Sequence, residues 1–397
     1  MDSEAPRRFP SAAPDGLIAA LLLSFLATAG LFYVNIMPAL VSGLIDGLHF
    51  TQRQAGFVAS ANVYGAALGA LASVFFVKRI AWRGVAVGLL CALIVIDVLS
   101  TLVTSPSALI AVRFVQGTVG GMEVGTAFSV IARTRVPERT FGMLLVVQFG
   151  IGGIGLMFLP RLVAIFGTPV LFLTLALFSA VTLAMIPFLG EYKRKAAPQS
   201  APSAAGTVRW MPLGLALLAL LLFQAGNMAL AAYMIELGRF YGLKIGFISN
   251  TLGVAGWIGA LGSLLVVFMG TRFGRVMPLA AALVLTVAGN ALFHFSASQA
   301  VYAGANIGTA ITWAFVLPYL LGMCAAFDPS GQTAALGGFC SKMGLATGPL
   351  VAGLLLGGAR FSMLIDVSVA ALALSAVAAL VPAALLDRKT DRGLAGE

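Results

Sequence analysis

Six ionisable side chains lie within long apolar runs of this 397-residue chain: Asp97, Arg113, Glu123, Glu236, Lys342 and Asp366. A charge placed in lipid is expensive, so residues of this kind are candidates for ligand binding or proton transfer by default. Glu123 follows Arg113 by ten residues, which puts a proton acceptor and a permanent cation on one segment. Arg113 can attract an anionic solute, or control a nearby carboxylate's hold on its proton. It can equally serve the structure by binding backbone carbonyls. Lys342 is a second cation, far off in sequence and also inside an apolar run. Glu236 and Asp366 stand near the ends of their runs, where water reaches them.

Other chemistries find no support. There is no GxxxxGK[ST] phosphate loop, so ATP hydrolysis by this chain is not expected. His49 and His294 have no partner at metal-ligand spacing, and Cys91, Cys324 and Cys340 form no CxxC pair. The 14 methionines show no repeated pattern of the kind a copper path would need. No metal and no cofactor are therefore expected. A membrane-embedded transferase would need clustered Asp, His or Glu near an interface, and the loops offer mainly lysine and arginine.

The segments holding these charges are too apolar for a water-soluble surface. Hydrophobic residues make up 60% of the chain and charged ones only 10%, against about 25% charged in soluble domains. Runs of the roughly 20 residues needed to cross a bilayer occur twelve times. They fall at 17–40, 54–77, 84–104, 107–131, 141–163, 167–189, 211–236, 245–270, 276–296, 299–325, 332–358 and 361–385. Arg7, Arg8 and the apolar stretch to Ala27-Thr28-Ala29 imitate a cleaved leader, but the run continues through Leu40 and is expected to remain as the first span.

The net charge of +10 does not mark a nucleic-acid binder, because the basic residues sit in short clusters between runs. Of the 24 lysines and arginines, 17 fall on the side of the termini and five on the other, with Arg113 and Lys342 inside spans. Basic loops stay cytoplasmic, so both termini are expected there, with the protein multi-pass in a bacterial inner membrane.

Residues 191–209 form the one sizeable loop, rich in charge, Ala, Pro and Ser, the composition of a solvated linker. It separates a first half, 1–190, from a second, 210–397. The halves carry a weak repeat: Gly69 precedes Arg79 by ten residues, and Gly262 precedes Arg272 by ten. The expected fold is all-α and integral to the membrane, with twelve spans in two six-helix bundles related by a pseudo-two-fold axis.

The fourth run reads Arg113-Phe-Val-Gln116-Gly117, followed by Gly120 and Gly121. This resembles the RxxQG motif of the major facilitator superfamily, and the likeness extends over essentially the whole chain. The loop after the second run stands where that family has GxxxDRxGRR, but Val74, Lys78 and Ala81 replace two glycines and the acid. In the second half Arg272-Phe-Gly-Arg275 keeps the basic core of the motif.

The resemblance implies a secondary transporter working by alternating access. It associates Arg113 with proton coupling, makes the third span that holds Asp97 peripheral, and makes Arg79, Arg83, Arg272 and Arg275 gating residues. Gly348-Pro349 would give a bend that a gate can use. It also implies that the spans of Glu123 and Lys342 line a central cavity from opposite halves. The two could then approach in at least one state, with protonation of Glu123 releasing the pair; alternatively each pairs within its own half. Tyr33, Asn35, Arg113, Gln224, Asn227, Asn306, Trp313 and Lys342 are the expected substrate contacts, with Tyr233 and Tyr319 on the same spans. The expected partners are a small organic solute, favoured to be an anion, together with protons and the lipid bilayer, and a monomer suffices. Efflux of lipophilic compounds and a non-transporting membrane sensor are the alternatives.

Overall fold

A computed structural model of the chain describes residues 12–14, 16–76, 81–135, 137–192, 209–270, 272–327, 332–357 and 360–394. The first half holds α1 (Leu17–Ala29), α2 (Phe32–Asn35), α3 (Met37–Leu48), α4 (Gln52–Phe76), α5 (Trp82–Ser100), α6 (Pro106–Ile131), α7 (Pro137–Phe166) and α8 (Pro169–Met185). The second holds α9 (Trp210–Ala232), α10 (Met234–Phe240), α11 (Ile245–Met269), α12 (Val276–Ala291), α13 (Gln299–Ala326), α14 (Gln332–Leu356) and α15 (Phe361–Leu394).

Ten of these helices are long and apolar enough to cross a membrane. The other two spans of the twelve-helix fold are α6, and α1 to α3 taken together. α6 has the length, 26 residues, but its glycines and its buried Arg113, Gln116 and Glu123 dilute its hydropathy.

Two expected spans differ from the structure in the same way. The first, read as continuous over 17–40, is broken at Gly30 and at Ile36 and runs on to Leu48. Pro38 has no N–H to return to the Val34 carbonyl, so the ladder cannot run unbroken through this point. The seventh, read as 211–236, breaks at Tyr233 and continues to Phe240. Ile36 (φ −111°, ψ 16°) and Tyr233 (φ −113°, ψ 19°) share one backbone geometry at equivalent places in the two bundles.

Helices in lipid associate through close contact of small residues rather than through burial of apolar area. On α4 and α6 the glycines recur every four residues, at Gly65 and Gly69 and at Gly117, Gly121 and Gly125. A methyl group at Gly69 would collide with the Thr118 carbonyl on α6. Its counterpart in the repeat, Gly262 on α11, would collide in the same way with the Ile311 carbonyl on α13. The repeated glycine thus carries the same helix crossing in each bundle. Gly344 and Gly348 let α14 lie directly on α9.

This packing encloses Arg113. Its guanidinium donates to Asp97 on α5 at 2.7 Å and to the Ser100 hydroxyl, and lies 4.8 Å from the centre of the Phe172 ring. Gln116 donates to the other Asp97 oxygen at 3.4 Å, and Asn62 on α4 donates to Gln116 and to the Arg113 carbonyl. Arg113 is fully buried and does not line the central cavity. Its expected place among the substrate contacts is therefore corrected, because a desolvated guanidinium takes the nearest carboxylate, and the peripheral Asp97 supplies it.

Removing one member of a buried pair strands the other without water. Arg113→Met is expected to cost about 3–5 kcal/mol of stability, with much of it restored in Arg113→Met/Asp97→Leu. Unfolding of the purified protein by heat or denaturant measures both. A single variant as stable as wild type would show that the pair is not holding α5 to α6.

Candidate functional site

Between the bundles lies a cavity of about 320 Å³, at the lower end of the range for small-molecule sites. Helices of both halves contribute to its wall, and most of the lining side chains are apolar. The polar exceptions are Asn35, Gln148, Gln224, Asn227, Asn290, Asn306, Thr309, Trp313 and Lys342.

Every hydrogen bond between the halves among the described residues lies at one end of the molecule or near its middle. At that end Tyr233 donates to the Gln52 carbonyl at 2.5 Å, and Arg239 makes a two-pronged contact with Asp46 at 2.7 and 2.8 Å. Arg161 donates to Asn250 at 2.6 Å and to the Gly246 carbonyl at 3.3 Å. Towards the middle, Tyr64 meets Thr347 at 3.0 Å and the Trp257 indole donates to the Gly150 carbonyl at 3.0 Å.

Glycines permit this closure. A Cβ added to Gly253 would stand 2.8 Å from the Gly153 carbonyl oxygen, and one on Gly56 2.5 Å from that of Pro349. The cavity is thus sealed at the end of Asp46, Gln52 and Arg239, and its wall extends towards the end from which α1 starts and at which α15 finishes.

Six of the eight expected substrate contacts line this cavity: Asn35, Gln224, Asn227, Asn306, Trp313 and Lys342. Tyr33 does not; it is 3% exposed and packed into the hydrophobic core. Gln224 is fixed from two sides, accepting from the Trp313 indole at 2.7 Å and donating to Ser341 at 2.8 Å. These bonds tie α9, α13 and α14 into one layer of the wall, next to Lys342. Lys342 makes no ion pair with any described residue, and no described carboxylate lines the cavity.

Glu123 is fully buried on α6, behind the cavity wall. The pairing with Lys342 is not made in this conformation. Instead the Glu123 carboxylate accepts the Gly30 N–H at 3.1 Å, in the first break of the broken span. Its second oxygen has no hydrogen-bond partner. Gly30 and Gly120 allow the approach, since a Cβ on Gly30 would strike the Gly120 carbonyl. Gly30 and Leu31 themselves line the cavity, so the carboxylate and the solute space meet at the same break.

The basic loop residues act within their own halves here. Arg83 donates to the Leu189 and Gly190 carbonyls at the end of the sixth span. Arg275 sits 3.7 Å from Asp387 on α15, and that carboxylate also accepts the backbone N–H of Arg275 and of Val276. Asp387 therefore supplies a carboxylate to the basic loop from α15. Arg272 is exposed, and Arg79 lies outside the described residues. Gly348 packs on α9, while the Pro349 carbonyl faces Gly56 across the sealed interface.

Some site residues escaped sequence reasoning. Gln148, Asn290 and Thr309 line the cavity, and a polar residue inside an apolar run was the available signal for each. Asp46 and Arg239 come together across the halves from 193 residues apart, a juxtaposition that periodicity does not encode.

Two helical bundles with a solute-sized cavity between them, sealed at one end, have the architecture of a transporter. Residues 20–337 match the model of the Major Facilitator Superfamily, and the chain belongs to that family of secondary transporters. Comparison with curated proteins gives no match. Among solved structures the chain is similar to the nucleoside transporter NupG, with 17% identity over 93% of this chain and 98% of that one and a TM-score of 0.68. It is similar also to a D-xylose-proton symporter, with 12% identity over 92% of this chain and 96% of that one and a TM-score of 0.68. At these identities the likeness is one of fold.

Proposed function

We propose that this protein carries a small organic anion together with protons across a bacterial inner membrane, with both termini cytoplasmic. The observation that carries the proposal is Lys342. It is the one charged side chain among the described residues lining the cavity, and it has no counter-ion there. A cation held beside an apolar cavity without a partner is compensated when an anionic ligand arrives. Glu123 supplies a proton-binding group next to the same space, and one relative in fold is a proton symporter. With basic loops cytoplasmic, the sealed end faces outward and the structure is the inward-facing state.

The test is thermal stabilisation of the purified protein by a panel of organic anions and lipophilic cations, on wild type and Lys342→Ala. A ligand at about 100 times its Kd stabilises by about 2.7 kcal/mol. Anions are expected to stabilise wild type, and the variant is expected to lose about 2–5 kcal/mol of that binding energy. Stabilisation by lipophilic cations that is equal or greater in Lys342→Ala would overturn the anion reading in favour of export of lipophilic compounds, which the mostly apolar wall favours. Anion binding without flux in liposomes would mark a sensor.

A further inference from the structure

The amide side chains of the cavity narrow the class of solute, and this step rests on the anion reading above. Asn227 on α9 donates its Nδ2 to the Phe223 carbonyl at 2.9 Å, and Asn306 on α13 donates its Nδ2 to the Tyr302 carbonyl at 2.8 Å. In each case the partner is the carbonyl four residues back on the same helix, which can only accept. The orientation of each amide is therefore fixed by chemistry: the NH₂ group turns to the backbone and the oxygen is left to the cavity. Two acceptors from different helices thus face the solute space with no described donor to meet them.

The cation and the acceptors lie at different depths. Lys342 is ten residues into α14 from the end where that helix starts, and Asn306 is twenty residues along α13 from the same end. At about 1.5 Å per residue the two layers are separated by roughly 15 Å along the bundle. A ligand that satisfies both must be anionic at one end and carry hydrogen-bond donors several bonds away. A second full charge at the donor end has nothing to balance it, because no described carboxylate lines the cavity.

We infer that the solute is an extended hydroxylated carboxylate of about six carbons, whose carboxylate lies at Lys342 and whose distal hydroxyl groups donate to Asn227 and Asn306. A carboxylate with a plain alkyl chain would leave these polar groups desolvated and unpaired, and a neutral polyol would leave the Lys342 charge uncompensated.

The experiment measures binding to the purified full-length protein of one carbon-matched pair, gluconate against hexanoate. Sorbitol and 6-aminohexanoate complete the set. Gluconate is expected to bind about tenfold or more tightly than hexanoate, as one satisfied hydrogen bond in a dry site requires. Asn306→Leu and Asn227→Leu are expected to erase that preference while leaving the alkyl acid's affinity within about threefold. The comparison of ligands on wild type stands even where a variant folds poorly. Alkyl acids binding as well as hydroxylated ones, or asparagine variants weakening both alike, would overturn the assignment. So would 6-aminohexanoate binding tightest, because the acceptors would then serve a cation. Sorbitol binding that survives Lys342→Ala would instead remove the anion reading beneath it.

Discussion

Protein carrying Glu123→Gln is expected to exchange solute between the two sides of a liposome at near wild-type rate but to lose uphill accumulation driven by a pH gradient. Glutamine can still accept the Gly30 N–H that Glu123 accepts at 3.1 Å, so the broken first span keeps its anchor. What glutamine cannot do is gain and lose a proton. In the native protein the ionised carboxylate is a strong acceptor for this freed N–H, and its other oxygen has no partner. Protonation weakens the first bond and gives the second oxygen a donor group to place, so the proton is felt at a break that lines the cavity.

The size of the effect follows from the gradient. With one proton per solute, one pH unit supports about a tenfold accumulation, and the variant should show none. Glu123→Leu should do worse, because it also abandons the Gly30 N–H, and should slow exchange itself. The measurement is solute uptake into proteoliposomes with and without an imposed gradient, beside counterflow without one. Gradient-driven uptake that survives in Glu123→Gln would remove Glu123 from the coupling path and return attention to Glu236 on α10, a largely buried carboxylate at the sealed end.

The second large effect is expected at the seam between the bundles. Gly253 and Gly153 face each other where α11 crosses α7, each within 3 Å of the place where the other's Cβ would have to coexist with a carbonyl oxygen. Gly253→Leu leaves each bundle's own packing largely intact, because the added side chain points across the seam. It should raise the energy of the sealed state by about 1–3 kcal/mol, the usual cost of overpacking. A shift of that size changes the ratio of the two end states by about 5- to 150-fold.

Transport should fall accordingly, and paired probes on α7 and α11 near Arg161 and Gly246 should report a longer distance at the end that is closed here. Double electron–electron resonance on wild type and variant measures this directly. Wild-type distances with wild-type transport would show that the glycine pair does not govern closure. Loss of transport with unchanged distances would place the defect in the cavity, since Gly153 and Gly256 line it.

Much of this protein could be read from its chain because lipid imposes long-range order on sequence. A helix must be apolar for its full passage, so the spans declare themselves in composition. The exceptions were themselves informative: α6 falls short in hydropathy because Arg113, Gln116 and Glu123 are shielded by neighbours rather than by lipid. The repeat at Gly69 and Gly262 was legible because one crossing geometry, used twice, requires the absence of a side chain in both places. Polar residues within apolar runs include six that line the cavity, for the same reason: in lipid a polar group needs a partner or a cavity.

What only the tertiary structure decided was which of those needs each residue meets. Arg113 and Lys342 are equivalent in sequence terms, both cations within spans. Helix rotation turns Arg113 onto Asp97 and leaves Lys342 facing the cavity. The chain leaves Glu123 free to approach Lys342 in some state or to pair within its own half; in this conformation it is held by a backbone N–H, because the break at Gly30 frees a donor close by. The contact of Asp46 with Arg239 depends on how the two bundles tilt, and a tilt is set by the sum of many small crossings. Periodicity records which face of a helix is polar, whereas the identity of the opposing face is settled only when all twelve spans pack together.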